Sequence, residues 1–134
     1  MKKKIVVFTT HPIQYQVPLF KLLAKKIYDV KVIYASNHGV FNSIDKDFKV
    51  KFSWDIDMLN DYNYEFLEKE NDVNTFFLNS QKIHSKLKKK QIDACLILGW
   101  NNLFYLKAIF WSLVFRIPII IRAESNLLEN QSLI

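Results

Sequence analysis

Apolar residues along the chain alternate between short continuous runs and longer segments in which they recur at helical spacing. Residues 4–8 form the first run, and the helical segment after it carries Pro18 in its first turn, where a missing N–H costs little. The predicted apolar face of this helix comprises Tyr15, Leu19, Leu22, Leu23 and Ile27. A second run at residues 30–34 completes a strand–helix–strand unit, which predicts two parallel strands joined by a right-handed crossover.

A second unit of the same kind occupies the last third of the chain. Residues 93–98 form an apolar run, residues 102–115 a nearly all-apolar helix, and residues 117–121 a further run entered through Pro118. Strands that are apolar throughout are typical of a parallel sheet covered on both faces. We therefore predict an α/β protein with a Rossmann-like, doubly wound, mostly parallel sheet in which the first strand is central.

The middle of the chain, residues 35–70, has no long hydrophobic period and is rich in aromatic and acidic residues. So long an irregular segment usually folds over a site, and we predict a short strand at residues 49–54 within it. Asp55 and Asp57 belong to this segment, but alternate side chains of an extended chain point apart. We assign this pair no catalytic role.

The length and charge of the chain narrow the choice of partners. Its 134 residues, half of them apolar, predict a single domain over residues 1–134. The net charge of +6 comes mainly from lysines, which cluster at residues 2–4 and towards the end of a helix predicted for residues 81–90, with Ile83 and Leu87 facing the core. We interpret the clusters as a solvated tail and a complement to the helix dipole, with an anionic membrane surface as the alternative. Because only two arginines are present, no nucleic-acid partner is expected.

The single cysteine and the longest apolar stretch indicate in which cellular compartment the protein is expected. Cys95 lies within a predicted buried strand and can form no internal disulfide, which favours a reducing, cytoplasmic compartment. The apolar run after the first lysines is too short for a secretion signal. Residues 103–121 approach the length of a membrane-spanning helix, but Lys107, Arg116 and Pro118 argue against one. A buried or partner-facing helix followed by a strand is the preferred interpretation.

Polar residues follow each predicted strand, and in a parallel sheet the carboxyl ends of the strands share one edge where ligands bind. The turn after the first strand has no glycine, so neither a dinucleotide-binding loop nor a phosphate-binding P-loop can form there. The histidines and the cysteine lack metal-ligand spacing, and no metal is expected. The candidate site residues in chain order are His11, Gln14, His38, Gly39, Trp100, Asn101, Arg122, Glu124 and Ser125.

Each of these candidates has a simpler structural interpretation. His11 could be an ordinary turn residue, and Trp100 could pack in the core as large aromatic residues usually do. Arg122 and Glu124 could form an internal ion pair without a ligand, although two charges at the mouth of an apolar strand more often orient something polar. His84, on a lysine-rich helix, is expected to be solvated.

Four motifs, at residues 10–15, 54–59, 99–101 and 122–126, together resemble the amino-terminal domain of a glycosyltransferase family 4 (group 1) enzyme of GT-B fold. The resemblance implies two Rossmann-like domains facing across a cleft, the first mainly holding the acceptor and the second the nucleotide-sugar. It also implies retention of anomeric configuration and no required metal. His11 stands where many members of the family have a glycine-rich turn, so we assign this turn no contact with the donor.

On this resemblance we expect His11, Arg122 and Glu124 to act together on the acceptor side of the cleft. The remaining candidate residues would bind substrate. Only one of the two domains fits in this chain, so we expect the donor-binding domain to be absent and the chain to be inactive alone. The expected partners are a nucleotide-sugar, which is a substrate rather than a cofactor, a saccharide or glycolipid acceptor, and a donor domain or partner subunit.

The sequence leaves two alternatives open. One is a non-catalytic module that binds a sugar or nucleotide, or docks on another subunit through its apolar helix. The other is a sugar-nucleotide epimerase of the same two-domain fold, which has no motif support. The expected cytoplasmic location includes the inner face of the membrane, because the family suggests a role in the assembly of surface polysaccharides or glycolipids.

Overall fold

The computed structural model describes residues 2–26, 28–36, 43–44, 51–52, 59–68, 80–88, 91–101 and 103–123. The elements in chain order are β1 (Lys3–Thr9), α1 (Val17–Lys26), β2 (Tyr28–Ser36), β3 (Ser43–Ile44), β4 (Lys51–Phe52), β5 (Asn63–Glu68), α2 (Ser80–Lys88), β6 (Ala94–Ile97), α3 (Leu103–Val114) and β7 (Ile119–Ile121).

Five strands form one sheet in the order β5-β2-β1-β6-β7, and every neighbouring pair is parallel. The strand β1 is central, with Val7 opposite Val32 of β2 and Leu96 of β6. Along the chain, β2 and β5 are added on one side of β1, and β6 and β7 are then added on its other side. The α/β class and the doubly wound parallel sheet predicted from the apolar runs are thus confirmed.

The helices lie on both faces of this sheet. Successive side chains of a strand point to opposite faces. Val7 packs with Val17 and Phe20 of α1, whereas Phe8 packs with Ile83 of α2 and Phe104 of α3. We call these the α1 face and the α2–α3 face.

The apolar side of α1 differs from the predicted one. The helix begins at Val17, so Pro18 is its second residue and removes no helical hydrogen bond, as expected. Val17 and Phe20 are the buried residues, while Tyr15 is 61% and Leu22 53% exposed. Tyr15 precedes the helix in a turn, whereas Leu19 and Leu23 of the predicted row are half-buried and Leu23 packs against the core. Ile27 lies outside the described residues.

The sequence did not predict β5, which continues the sheet beyond β2. Tyr64 opposes Val32 and Phe66 opposes Tyr34 in a parallel register, and the rings of Phe66 and Tyr34 stack with centroids 5.4 Å apart. Lys51–Phe52 forms a two-stranded antiparallel pair with Ser43–Ile44, which confirms part of the strand predicted at residues 49–54. The other residues between 37 and 58 lie outside the described part of the chain.

The strand β7 is more exposed than a strand covered on both faces would be. Ile120 aligns with Leu96 and shares its direction towards the α1 face, and it is 56% exposed. Ile120 is exposed because of its position in the sheet. β7 is the outermost strand, and α1 covers the same face only over β1 and β2, away from β7. The prediction of a sheet buried on both faces is therefore wrong for this strand.

The two helices of the α2–α3 face pack against each other through aromatic rings. Ile83 and Leu87 of α2 are buried, as predicted. His84 was expected to be solvated, which is wrong, since its ring lies 4.5 Å from the ring of Trp111 and 5.3 Å from that of Phe115. The lysines of α2 suggested a solvated face, and the spacing within one helix could not reveal that α3 packs beside it.

Cys95 of β6 is fully buried, as its apolar surroundings in the sequence indicated. Burial raises the pKa of its thiol, and a hydrogen bond with Ser112 of α3 only partly opposes this. Within the described ranges, no helix has the length and apolar character needed to cross a membrane, and the longest of them, α3, has 12 residues.

Candidate functional site

The strongest candidate site lies where the direction of the sheet reverses. The central strand β1 leads into α1 on one face, and its neighbour β6 leads into α3 on the other. The segments that follow the two strands, residues 10–16 (the β1 loop) and residues 98–101 (the β6 loop), therefore diverge above the carboxyl edge. In open α/β sheets this divergence creates the crevice in which ligands bind.

Internal hydrogen bonds hold the β1 loop in a fixed shape. The hydroxyl of Thr9, fully buried at the end of β1, donates to Oε1 of Gln16 over 3.2 Å. The backbone N–H groups of Gln16 and Val17 both donate to the carbonyl of Ile13, at 3.0 and 3.3 Å. This turn leads directly into α1, so the loop cannot shift without disturbing the helix.

His11 and Gln14 are the candidate ligand contacts on the β1 loop, and both are half-buried. The Nδ1 atom of His11 lies 3.1 Å from the hydroxyl of Thr10. When that hydroxyl donates to Nδ1, the imidazole carries its proton on Nε2 and offers a donor at the opposite side of the ring. The contact thus holds the orientation of the ring.

The β6 loop is hydrogen-bonded to β1, and its conformation requires a glycine. The N–H of Leu98 donates to the carbonyl of Phe8 over 3.1 Å, which continues the pairing of β6 with β1 into the loop. Gly99 has φ +152°, and a Cβ there would lie 2.6 Å from Cε2 of Tyr105. Because the Tyr105 ring is nearly buried, a larger residue at this position would have to displace a core aromatic.

Trp100 and Asn101 follow this glycine, and both are exposed. Trp100 is 59% exposed, so its interpretation as core packing is wrong. An exposed indole beside an amide combines an apolar surface with hydrogen-bonding groups. This combination suits a ligand such as a sugar, which has apolar ring faces and a rim of hydroxyls.

The third strand end brings Arg122 to the same edge. Its N–H donates to the carbonyl of Ile97 over 3.0 Å, and its side chain is exposed. Since β1, β6 and β7 are successive neighbours, their carboxyl ends span two strand spacings, roughly 10 Å. The structure thus places five of the nine sequence candidates along one edge: His11, Gln14, Trp100, Asn101 and Arg122. The other four, His38, Gly39, Glu124 and Ser125, lie outside the described residues.

A concavity lies at the opposite, amino edge of the sheet. It has a volume of about 1000 Å³ and is lined by Lys3, Lys4, Asp29, Asn63 and Asp93 together with neighbouring residues. Its charges are opposed in pairs, with 3.9 Å between Lys3 and Asp93 and 3.9 Å between Lys4 and Asp29. These exposed pairs leave little net field for a ligand. We therefore prefer the carboxyl edge, where the polar side chains follow directly from the strands.

No metal centre and no match to a known protein add to this geometry. No group of three His, Cys, Asp or Glu residues that could hold a metal ion occurs among the residues that the structure describes. No protein-family model, curated protein or solved structure matches the chain.

Proposed function

We propose that the chain is the acceptor-side, amino-terminal domain of a retaining glycosyltransferase of GT-B fold. In this proposal it takes part in the transfer of a sugar from a nucleotide-sugar to a saccharide or glycolipid acceptor. The observation that carries the proposal is the placement of His11 and Gln14 after β1, and of Trp100 and Asn101 after the neighbouring β6, at one edge of the sheet. The four motifs that resemble family 4 glycosyltransferases give it the reaction class.

The side chains of the crevice have the chemistry that an acceptor sugar requires. The amides of Gln14 and Asn101 can each donate to and accept from sugar hydroxyls, and the exposed Trp100 offers a flat apolar surface. His11, with its ring fixed by Thr10, is the group placed to exchange a proton or hydrogen bond with a reacting hydroxyl. In the proposal Arg122 and Glu124 complete the catalytic group.

Glycosyl transfer sets a limit on what one domain can do. The reaction passes through an oxocarbenium-like state, so donor and acceptor must be held together, the leaving phosphate stabilised and water excluded. A single crevice provides one side of such a cleft. We therefore propose that turnover needs a donor-binding domain, in the same polypeptide or as a partner subunit, and that the nucleotide-sugar is a substrate. The proposal assigns no metal or other cofactor.

The proposed setting is the cytoplasm, at the inner face of the membrane if the acceptor is a glycolipid. A non-catalytic module that binds sugars or docks on another subunit is the second candidate. The observation in its favour is the exposed apolar surface of α3, where Phe110 is 56% and Leu113 63% exposed. A docking module would self-associate at micromolar concentration or bind a partner, and would support no transfer with any donor domain.

Transfer activity separates the two candidates. The chain, supplied with the donor-binding domain of a family 4 transferase in trans or fused to it, is incubated with nucleotide-sugars and saccharide or glycolipid acceptors. We expect transfer to require both parts. His11→Ala should lower turnover by at least about tenfold, or roughly 1.4 kcal/mol of transition-state stabilisation, with the melting temperature nearly unchanged.

Gln91→Ala provides the matched control, because Gln91 is exposed at the opposite edge of the sheet. Arg122→Ala and Glu124→Ala should also lower turnover, but each could leave the other charge unpaired, so activity and melting are measured on the same preparations. Full activity of the His11→Ala variant in a competent two-domain enzyme would remove His11 from the catalytic group.

A further inference from the structure

The concavity at the amino edge of the sheet is elongated along that edge, and we call it the amino-edge trough. Its lining comes from the starts of four strands: residues 61–63 at β5, 28–30 at β2, 2–4 at β1 and 91–93 at β6. These strands are successive neighbours, so the trough spans three strand spacings, roughly 14 Å. Its volume of about 1000 Å³ is at the upper end of the range for ligand pockets. This shape suits an extended chain of several units.

The polar groups of the trough include both acceptors and donors. The carboxylate of Asp29 only accepts hydrogen bonds, the amide of Asn63 accepts and donates, and the ammonium of Lys4 only donates. The Nζ atom of Lys4 lies 3.9 Å from Oδ2 of Asp29, which is too long for a hydrogen bond, and both side chains are partly exposed. A ligand that carries hydroxyls and anionic groups can therefore meet both members of this pair.

The excess of positive charge lies on the rim of the trough. Each helix leads back to the start of a strand, so all three end at this edge: Lys25 and Lys26 end α1, Lys88 ends α2, and Arg116 follows α3. These four side chains are exposed. Among the residues that the structure describes, they and the lysines at 2–4 give this edge seven cations against three aspartates, a net charge of +4. The carbonyl ends of the three helices, at roughly −0.5 charge each, offset less than half of it.

We propose that the amino-edge trough binds an acidic saccharide chain, in which sugar units carry carboxylates. The sugar hydroxyls donate to Asp29 and Asn63, and the sugar carboxylates face Lys4 and the cations of the rim. An acidic peptide is another extended anionic chain, but its carboxylates offer no donor to the aspartates of the trough. The site lies at the edge opposite His11, and the proposal does not depend on glycosyl transfer.

Titration of the full chain with defined saccharides tests the trough. Affinities are measured by calorimetry for an oligogalacturonate, for a neutral maltooligosaccharide of the same length, and for galacturonic acid as a single unit. The oligogalacturonate should bind at least about tenfold more tightly than either of the others, and its affinity should fall as salt is raised. Backbone NMR shifts should appear around Asp29 and Asn63.

A pair of charge reversals tests the contribution of the rim. Lys26→Glu should lower the affinity for the oligogalacturonate by at least about fivefold, because it places a carboxylate beside an anionic ligand. Lys107→Glu is the matched control, since Lys107 lies in the half of α3 nearer the carboxyl edge and the charge change is the same. It should leave the affinity within about twofold. Circular dichroism confirms that each variant is folded.

Asp29→Ala separates a saccharide from other polyanions. The variant removes a negative charge, which on its own would strengthen the binding of any anion. If sugar hydroxyls donate to Asp29, it should instead lower the affinity for the oligogalacturonate by at least about threefold. The affinity for an oligoglutamate peptide of equal charge should rise, because that ligand has no hydroxyls.

Three outcomes would overturn the proposal. One is an oligogalacturonate that binds no more tightly than the neutral oligosaccharide. Another is an oligoglutamate that binds at least as tightly, with Asp29→Ala strengthening both complexes, which would identify an acidic peptide as the occupant. The third is a set of NMR shifts confined to the region of His11 and Asn101, which would place the acidic chain at the carboxyl edge.

Discussion

The two outer strands of the sheet, β5 and β7, meet their surroundings in different ways. On β5, Glu65 accepts hydrogen bonds from Lys31 at 2.9 Å and from Lys86 of α2, so charges border this side of the sheet. On β7, Ile120 and Ile121 are 56% and 49% exposed. Charged side chains discourage the pairing of an edge strand with another chain, whereas exposed apolar side chains favour it. The β5 edge therefore carries charged side chains, with Tyr64 also 40% exposed, whereas the exposed side chains of Ile120 and Ile121 on β7 are purely apolar.

This contrast shows that position in the sheet, rather than apolar content, decides which strands are buried. Residues 117–121 are as apolar as residues 4–8, yet Val7 is fully buried and Ile120 is mostly exposed. Val7 lies in the central strand, beneath α1, whereas β7 has a neighbouring strand on one side only among the residues described. The following predictions test this contrast between the two sides, beginning with the largest effect on stability.

Placing the same charge in the central strand and in the edge strand β7 should give the largest difference in the free energy of unfolding. Val7→Asp puts an unpaired carboxylate in the core and should cost at least about 3 kcal/mol, against a total stability of roughly 5–15 kcal/mol. Ile120→Asp should change stability by less than about 1 kcal/mol, because the side chain stays in water. Urea denaturation followed by circular dichroism measures both. A Val7→Asp protein that unfolds cooperatively at the wild-type midpoint would contradict the buried position of β1.

A methyl group at Gly99 should produce the next largest effect. The new Cβ would lie 2.6 Å from the Tyr105 ring at a φ of +152°, so Gly99→Ala should cost about 1–3 kcal/mol. Because Tyr105 is in the core and Trp100 is next to Gly99, the variant should also change the tryptophan fluorescence. In a Tyr105→Leu background the added cost of Gly99→Ala should be smaller. Equal costs in both backgrounds would show that the contact with the ring is not the cause.

The ion pairs of Glu65 on β5 should stabilise the fold by a smaller amount, and this stabilisation should depend on pH. Burial raises the pKa of Glu65, but hydrogen bonds and charges from Lys86 and Lys31 outweigh it and hold the pKa below its ordinary value. The unfolded chain therefore binds the proton more readily than the folded one. The stabilisation is complete above the ordinary carboxyl pKa and is lost as the pH falls through the lowered value in the folded state.

Replacing Glu65 tests this border. Glu65→Gln should cost about 0.5–1 kcal/mol at neutral pH and nothing at a pH below the lowered pKa, as followed by urea denaturation across the acidic range. Asp61→Asn, at an exposed position on the same side of the sheet, is a control for general charge effects. A cost for Glu65→Gln that stays constant down to acidic pH would exclude the ion pairs as its source.

The parts of the fold that the sequence predicted are those set by local pattern. β1, β2 and β6 are each built around a mainly apolar run, and each lies within the predicted strand or extends it by one or two residues at each end. β5 was missed because Asn63, Glu65 and Glu68 interrupt its apolar residues, and only its place beside β2 makes it a strand. The packing of His84 on α3 could not be predicted, since it depends on how two helices meet on the same face of the sheet.

The candidate site could be predicted in position but not in detail. The rule that parallel strands share a carboxyl edge was enough to bring His11, Trp100 and Arg122 together from distant parts of the sequence. The sequence also contained the Gly99–Trp100 pair at a strand end. It could not reveal that Thr10 orients the His11 ring, or that Tyr105 forces position 99 to be glycine, because these are contacts between specific atoms.

The most direct test of the central claim is to locate the saccharide on the chain itself. Backbone NMR shifts of the full chain are followed during titration with saccharide acceptors, and weak binding, roughly millimolar, is expected. We expect shifts in the β1 and β6 loops, around His11 and Asn101, and a loss of affinity of at least about fivefold in Trp100→Ala, equivalent to ~1 kcal/mol. Shifts confined to the amino-edge concavity around Asp29 and Asn63, with Trp100→Ala unchanged, would contradict it.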